Sequence, residues 1–151
     1  MLRFPFIESE KHRRKFLQAR RGQEVSDTDF LQAIEGVDSP AGRRMGLAVR
    51  RAIALECGIP SEKLFPNDLT VELERLMGGS GFFGWLFFDV YGFDLQRFDA
   101  FLLRELGRDA PDWDRICRLP PFAKTDSSGV HRPQPVSKWI SEAVRVLLDL
   151  A

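Results

Sequence analysis

Glycines set ahead of a helix can bring backbone N–H groups against an anion, and the cluster Gly78-Gly79-Ser80-Gly81 suggests this arrangement. It lacks the Lys and following Ser or Thr that complete a P-loop, and no strand pattern precedes it, so the cluster does not read as a nucleotide site. The other reactive side chains are scattered. His12 lies in a basic segment and His131 in a proline-rich one, with no nucleophile motif beside either. Cys57 and Cys117 have no CxxC or Cys/His spacing around them, so no metal site is expected. Asp89, Asp94 and Asp99 flank an aromatic region where burial could raise a carboxyl pKa, but capping and surface roles suit them better. The expectation is a protein without catalysis.

Composition bounds the rest. A chain of 151 residues with 44% hydrophobic and 29% charged residues can bury a core without staples. Its 22 basic and 22 acidic side chains cancel, so no whole-molecule field steers it toward nucleic acid or anionic lipid. Locally, Lys11, Arg13, Arg14, Lys15, Arg20 and Arg21 carry six positive charges with no acid between them. This run reads as a solvated helical arm, with a partner contact or a phosphate-binding arm as the alternatives. The opening MLRFPFIESEKHRRK has neither a long apolar stretch nor a small-residue cleavage site, so the reading is cytoplasmic, with both thiols reduced and Cys57 buried near a helix end.

The elements that would position these residues are helical. Helix formers run from Glu8 to Arg21 and stop at Gly22; a short helix follows, capped by Ser26 or Thr28 and ending before Gly36. The clearest helix is bounded by Ser39 as cap, Pro40 in the first turn and Gly58 past the end. Met45, Ala48, Val49, Ala52, Ile53 and either Glu56 or Cys57 trace its apolar face, leaving Arg43, Arg44, Arg50 and Arg51 to a solvated side. Asn67 or Asp68 should cap the next helix, whose stripe is Leu69, Leu73, Leu76 and Met77 before Gly78 and Gly79. Further on, Leu95, Phe98, Phe101, Leu102 and Leu106 face inward in a helix that stops at Gly107.

Residues 108–135 hold five of the nine prolines and read as a connection with one helical turn at Trp113 to Cys117. A last helix, capped by Ser137, aligns Trp139, Ile140, Val144, Leu147 and Leu148 for docking. No alternating β-branched run appears, so the fold class is mainly α. The organisation expected is an N-terminal helical arm over 1–38, a helical core over 39–107, and a connection with a docking helix over 108–151, together one compact domain.

Nine of the seventeen aromatic residues fall between Phe82 and Phe101. The uncharged run from Gly78 to Phe88 is too short to cross a bilayer, so no membrane span is expected. A helix over 82–91 would have little polar face and would be buried nearly all round. Core packing is the first reading; a ligand or partner surface made by Phe82, Phe83, Trp85, Phe87 and Tyr91 is the second.

Taken in order, AVRRAIALECGIPSEKLFPNDLTVELERLM, a helix-opening Ser80 and DVYGFDL resemble the acyl carrier protein family over about 65 residues, from Met45 to Gly107. Leu55 to Gly58, Ile59 to Leu64, Pro66 to Leu69, Leu73, Ser80 and Tyr91 to Leu95 fill the corresponding places. The resemblance implies a small helical bundle like a carrier core, 4'-phosphopantetheine attached at Ser80, and contacts with partner proteins or an acyl chain. Carriers place Asp before the serine and Leu or a similar residue after it; here Gly79 and Gly81 stand there. The Phe- and Trp-rich segment behind Ser80 also lacks the acids that a carrier presents to basic enzymes. The expected function is that of a carrier-like protein, or alternatively an interaction module or homo-oligomer without a prosthetic group.

Overall fold

A computed structural model describes residues 5–77, 93–122 and 134–150. Among these residues the chain forms seven α-helices and no strand, a mainly α helical bundle. The helices are α1 (Pro5–Ala19), α2 (Asp27–Gln32), α3 (Pro40–Cys57), α4 (Thr70–Leu76), α5 (Leu95–Leu106), α6 (Trp113–Cys117) and α7 (Val136–Leu147). Short 3₁₀ turns at Ser61–Lys63 and Gly107–Asp109 link α3 to α4 and extend α5.

The central helix is α3, and its ends follow capping chemistry. Ser39 Oγ accepts the Gly42 N–H at 2.9 Å, Pro40 occupies the first turn, and Gly58 closes the helix in the left-handed region at φ 67°. Its apolar face, with Met45, Ala48, Val49, Ala52, Ile53 and Cys57, is buried against α5 and α7 and reaches α2 and α4. From α5 come Phe98, Leu102 and Leu106, and from α7 come Trp139, Ile140, Val144 and Leu147. Phe93, Phe98, Phe122 and Trp139 form an aromatic cluster at one end of this core. Phe93 stacks on Phe122 at 4.9 Å, both rings meet Trp139 within 5.5 Å, and the indole N–H donates to the Pro120 carbonyl at 3.0 Å. One antiparallel bridge, Leu69 to Pro135, fixes the start of α4 to the start of α7 through Thr70 N–H to Gln134 O (2.9 Å) and Val136 N–H to Asp68 O (2.7 Å).

Several local expectations are corrected. Arg50 is fully buried, whereas Arg43, Arg44 and Arg51 are exposed. Arg50 crosses to α2, donating to Asp27 Oδ1 (2.9 Å), Val25 O (2.8 Å) and Leu64 O (3.2 Å) over the Phe30 ring. A charge is tolerated inside because both terminal nitrogens of the guanidinium find protein acceptors in place of water.

Neither Asn67 nor Asp68 caps α4: Leu69 holds the cap position without a side-chain bond, because Asp68 instead accepts the Phe65 N–H and the Arg20 guanidinium. Ser137 is not the cap of α7: Pro135, two residues earlier, holds that position, and Ser137 lies in the first turn, where its carbonyl accepts the Ser141 hydroxyl. In α1 and the turn that follows it, Lys11, Arg14, Lys15 and Arg21 are exposed as expected of a solvated arm, but Arg13 and Arg20 are drawn into contacts with the bundle.

Candidate functional site

Three helices bring charged side chains to one place beside the end of α3. The last turn of α3 carries Leu55 and Glu56, and the left-handed Gly58 turns the chain away behind them. Glycine is needed there twice over. Its φ is positive, and a Cβ would stand 2.7 Å from Arg13 Nε. The space left open lets Arg13, reaching from α1, donate to Cys57 O at 2.8 Å and to Leu76 O at 3.1 Å. One guanidinium thus satisfies carbonyls at the C-terminal ends of α3 and α4, where positive charge is favoured.

The opposite wall is α5. Asp94 caps it, accepting the N–H groups of Gln96 (2.9 Å) and Arg97 (3.3 Å), while its other oxygen pairs with Arg97 Nε at 3.4 Å. Arg97 Nη2 then donates to Glu56 Oε2 at 2.9 Å across the α3–α5 seam. One turn on are Ala100 and Phe101, and a further turn on is Arg104, whose guanidinium lies 5.5 Å from the Phe101 ring centroid.

Between these walls is a groove of about 440 Å³ lined by Arg13, Leu55, Glu56, Arg97, Phe101 and Arg104, together with Gly58 and Ala100. Leu55 is 57% exposed, so the groove floor includes an apolar side chain open to solvent.

Glu56 is the perturbed group. Its side chain is only 5% exposed, and burial, helped by nearby Asp94, pushes its carboxyl up to about 7. The Arg97 ion pair pulls the other way and does not win, because desolvation acts on the whole carboxylate while Arg97 itself is partly solvated. Adjacent Cys57 is buried, its thiol is pushed up chiefly by burial, and its S–H points to Leu73 O at 3.6 Å. A thiol so placed is a core group. The groove therefore offers guanidinium donors, an apolar floor and a carboxyl that exchanges a proton near neutrality, an arrangement suited to holding an anionic, partly apolar partner.

A larger depression of about 620 Å³ lies beside α7, lined by residues that include Glu35, Lys138, Ser141, Glu142 and Arg145. Its charges are mixed in sign, and the Ser141 hydroxyl is engaged internally, donating to Ser137 O and accepting the Glu35 N–H. It offers less of a defined chemistry than the groove.

No protein-family model, curated protein or solved structure matches the chain.

Of the residues singled out in the sequence, Ser80, Phe82, Phe83, Trp85, Phe87, Tyr91, Asp89 and His131 lie outside the described residues. So do Gly78 and Gly79, expected to end the helix after Met77. His12 is exposed on α1. Cys57 is buried as the last residue of α3, and Cys117 is exposed; both are free thiols. The groove itself was not foreseen. Its members come from α1, α3 and α5, and the one local signal was Glu56 falling at the edge of an otherwise apolar helical face.

Proposed function

We propose that this protein is a non-enzymatic helical binding module that works through contacts with a protein or an acyl chain, made at the groove between α3 and α5. The observation that carries the reading is the placement of Arg13, Arg97 and Arg104 around the exposed Leu55 and half-buried Phe101. Three guanidiniums against the carboxyls of Glu56 and Asp94 leave the groove a positive balance on a protein whose total charge is zero.

The test compares wild type with a Leu55→Glu/Arg104→Glu variant, both immobilised. Each is challenged with host-cell extract and with a fluorescent fatty-acyl probe. Retention of a protein or of the probe by wild type alone is the expected result; equal behaviour of the two proteins toward both would overturn the reading.

A carrier role at Ser80 is the second reading. It is supported by the order of α3, the left-handed Gly58, the 3₁₀ turn and α4, which follows the order of segments that resembles an acyl carrier. Incubation with a phosphopantetheinyl transferase and coenzyme A then adds one prosthetic group to the intact mass, an addition lost in Ser80→Ala. An unchanged wild-type mass removes this reading.

A further inference from the structure

We propose that the occupant of the groove is a second copy of this chain, inserting the exposed Trp113 with its flanking carboxylates. The proposal rests on the reading of the groove as a binding surface and names its partner.

The partner must match the groove in two respects, apolar anchor and charge. Arg97 is already neutralised by Glu56 and Asp94, but Arg13 on α1 and Arg104 on α5 also line the groove and neither pairs with a carboxylate among the described residues, so two cations on different helices border the apolar floor. A single-headed acid such as a fatty acid engages only one of them. A better match has an apolar group with a carboxylate on either side.

The chain carries that feature on its own surface. Trp113, the first residue of α6, is 44% exposed, an unusual position for an indole that packing would otherwise cover. Asp112 and Asp114 flank it and are both exposed. The nearest base in sequence, Arg115, is half-buried and directs Nη1 to the Leu147 carbonyl at 3.3 Å, leaving the acids on the outer side. An exposed tryptophan between acids and an exposed leucine between arginines are complementary in polarity and in charge. Tryptophan and arginine are also the residues that dominate interface energetics.

Every copy has one knob and one groove, so association about a two-fold axis makes the contact twice. Self-association of this kind needs no acid on the partner beyond those the chain supplies.

The full chain is studied by sedimentation over a wide concentration range, as wild type, Trp113→Ala, Arg104→Glu and Asp114→Arg. All three side chains are exposed, so the variants keep the wild-type circular dichroism. Wild type associates with rising concentration, and each substitution weakens association about tenfold or more. Mixing Arg104→Glu with Asp114→Arg restores association between unlike copies, because the reversed knob meets the reversed groove while the native knob meets the native groove. Wild type that stays monomeric to about 1 mM overturns the proposal, as does association that none of the substitutions changes or that mixing does not restore. A monomer that still captures a different partner through Leu55 and Arg104 sinks self-association while leaving the groove reading standing.

Discussion

Arg50 Nη1 donates to Asp27 Oδ1 at 2.9 Å from a side chain with no solvent exposure, while Asp27 remains 43% exposed. The pair is asymmetric. Burial pulls the guanidinium below its ordinary range and Asp27 opposes that shift, so the arginine depends on its partner more than the reverse.

The asymmetry makes a double-mutant cycle informative. Asp27→Ala leaves a buried cation with only carbonyl partners, and Arg50→Met leaves the Val25 and Leu64 carbonyls unfilled. Each substitution costs about 2–3 kcal/mol in urea unfolding. The double variant costs less than the sum by about 1 kcal/mol, since removing both takes away the stranded charge. Strict additivity would show that the two side chains act independently.

Arg20 binds α1 to the loop ahead of α4. It chelates Asp68 with both terminal nitrogens and lies between Phe16 (3.7 Å) and Phe65 (4.4 Å), with Lys63 Nζ donating back to the Arg20 carbonyl at 3.0 Å. Arg20→Lys keeps the charge but loses the planar fork and the stacking. It should therefore fail to rescue Arg20→Ala, with both variants losing about 2 kcal/mol. Hydrogen exchange at the Phe65 amide, bonded to Asp68 at 2.7 Å, reports the loosening directly. Wild-type protection in Arg20→Lys would contradict this account.

Glu56 makes stability depend on pH in a defined direction. Its folded value of about 7 lies above the ordinary 4.5, so the folded protein holds this proton more tightly than the unfolded chain. The contribution is complete below about 4.5 and is lost as pH rises to about 7. Glu56→Gln keeps the shape and an acceptor for Arg97 without the charge. Relative to wild type it gains stability between about pH 5 and pH 8, by up to about 3 kcal/mol. The measurement is paired urea titrations at the two pH values; a constant difference between the proteins would mean that Glu56 titrates normally.

The two thiols differ in access. With a disulfide-exchange reagent at neutral pH, native protein should release one equivalent rapidly from exposed Cys117. The second, from Cys57 under α4, appears only with denaturant. Cys117→Ser should abolish the fast phase, and a fast phase that persists would place Cys57 in reach of solvent.

Much of the fold was legible where its signals are local. Ser39, Pro40 and Gly58 mark the ends of α3 through bonds made within four residues, and the turn at Trp113 to Cys117 is bounded as read. The errors at Arg50, Asp68 and Ser137 share a cause, competition from distant groups. Asp27 lies on α2, well ahead of Arg50 in the chain, Arg20 takes the carboxylate that could have capped α4, and Pro135 starts α7 early while pairing with Leu69. The groove was hidden for the same reason. Helical periodicity ranks residues around one axis, whereas Arg13, Glu56 and Arg97 belong to three axes that only packing brings together.

The bridge between Leu69 and Pro135 has a topological corollary. The segments that open α4 and α7 are far apart in sequence yet share one pair of backbone bonds, so the two helices are set against each other at their first turns while α5, which falls between them in the chain, is held separately by its own packing on α3. A proline at Thr70 or Val136 deletes one of the two donors that join them.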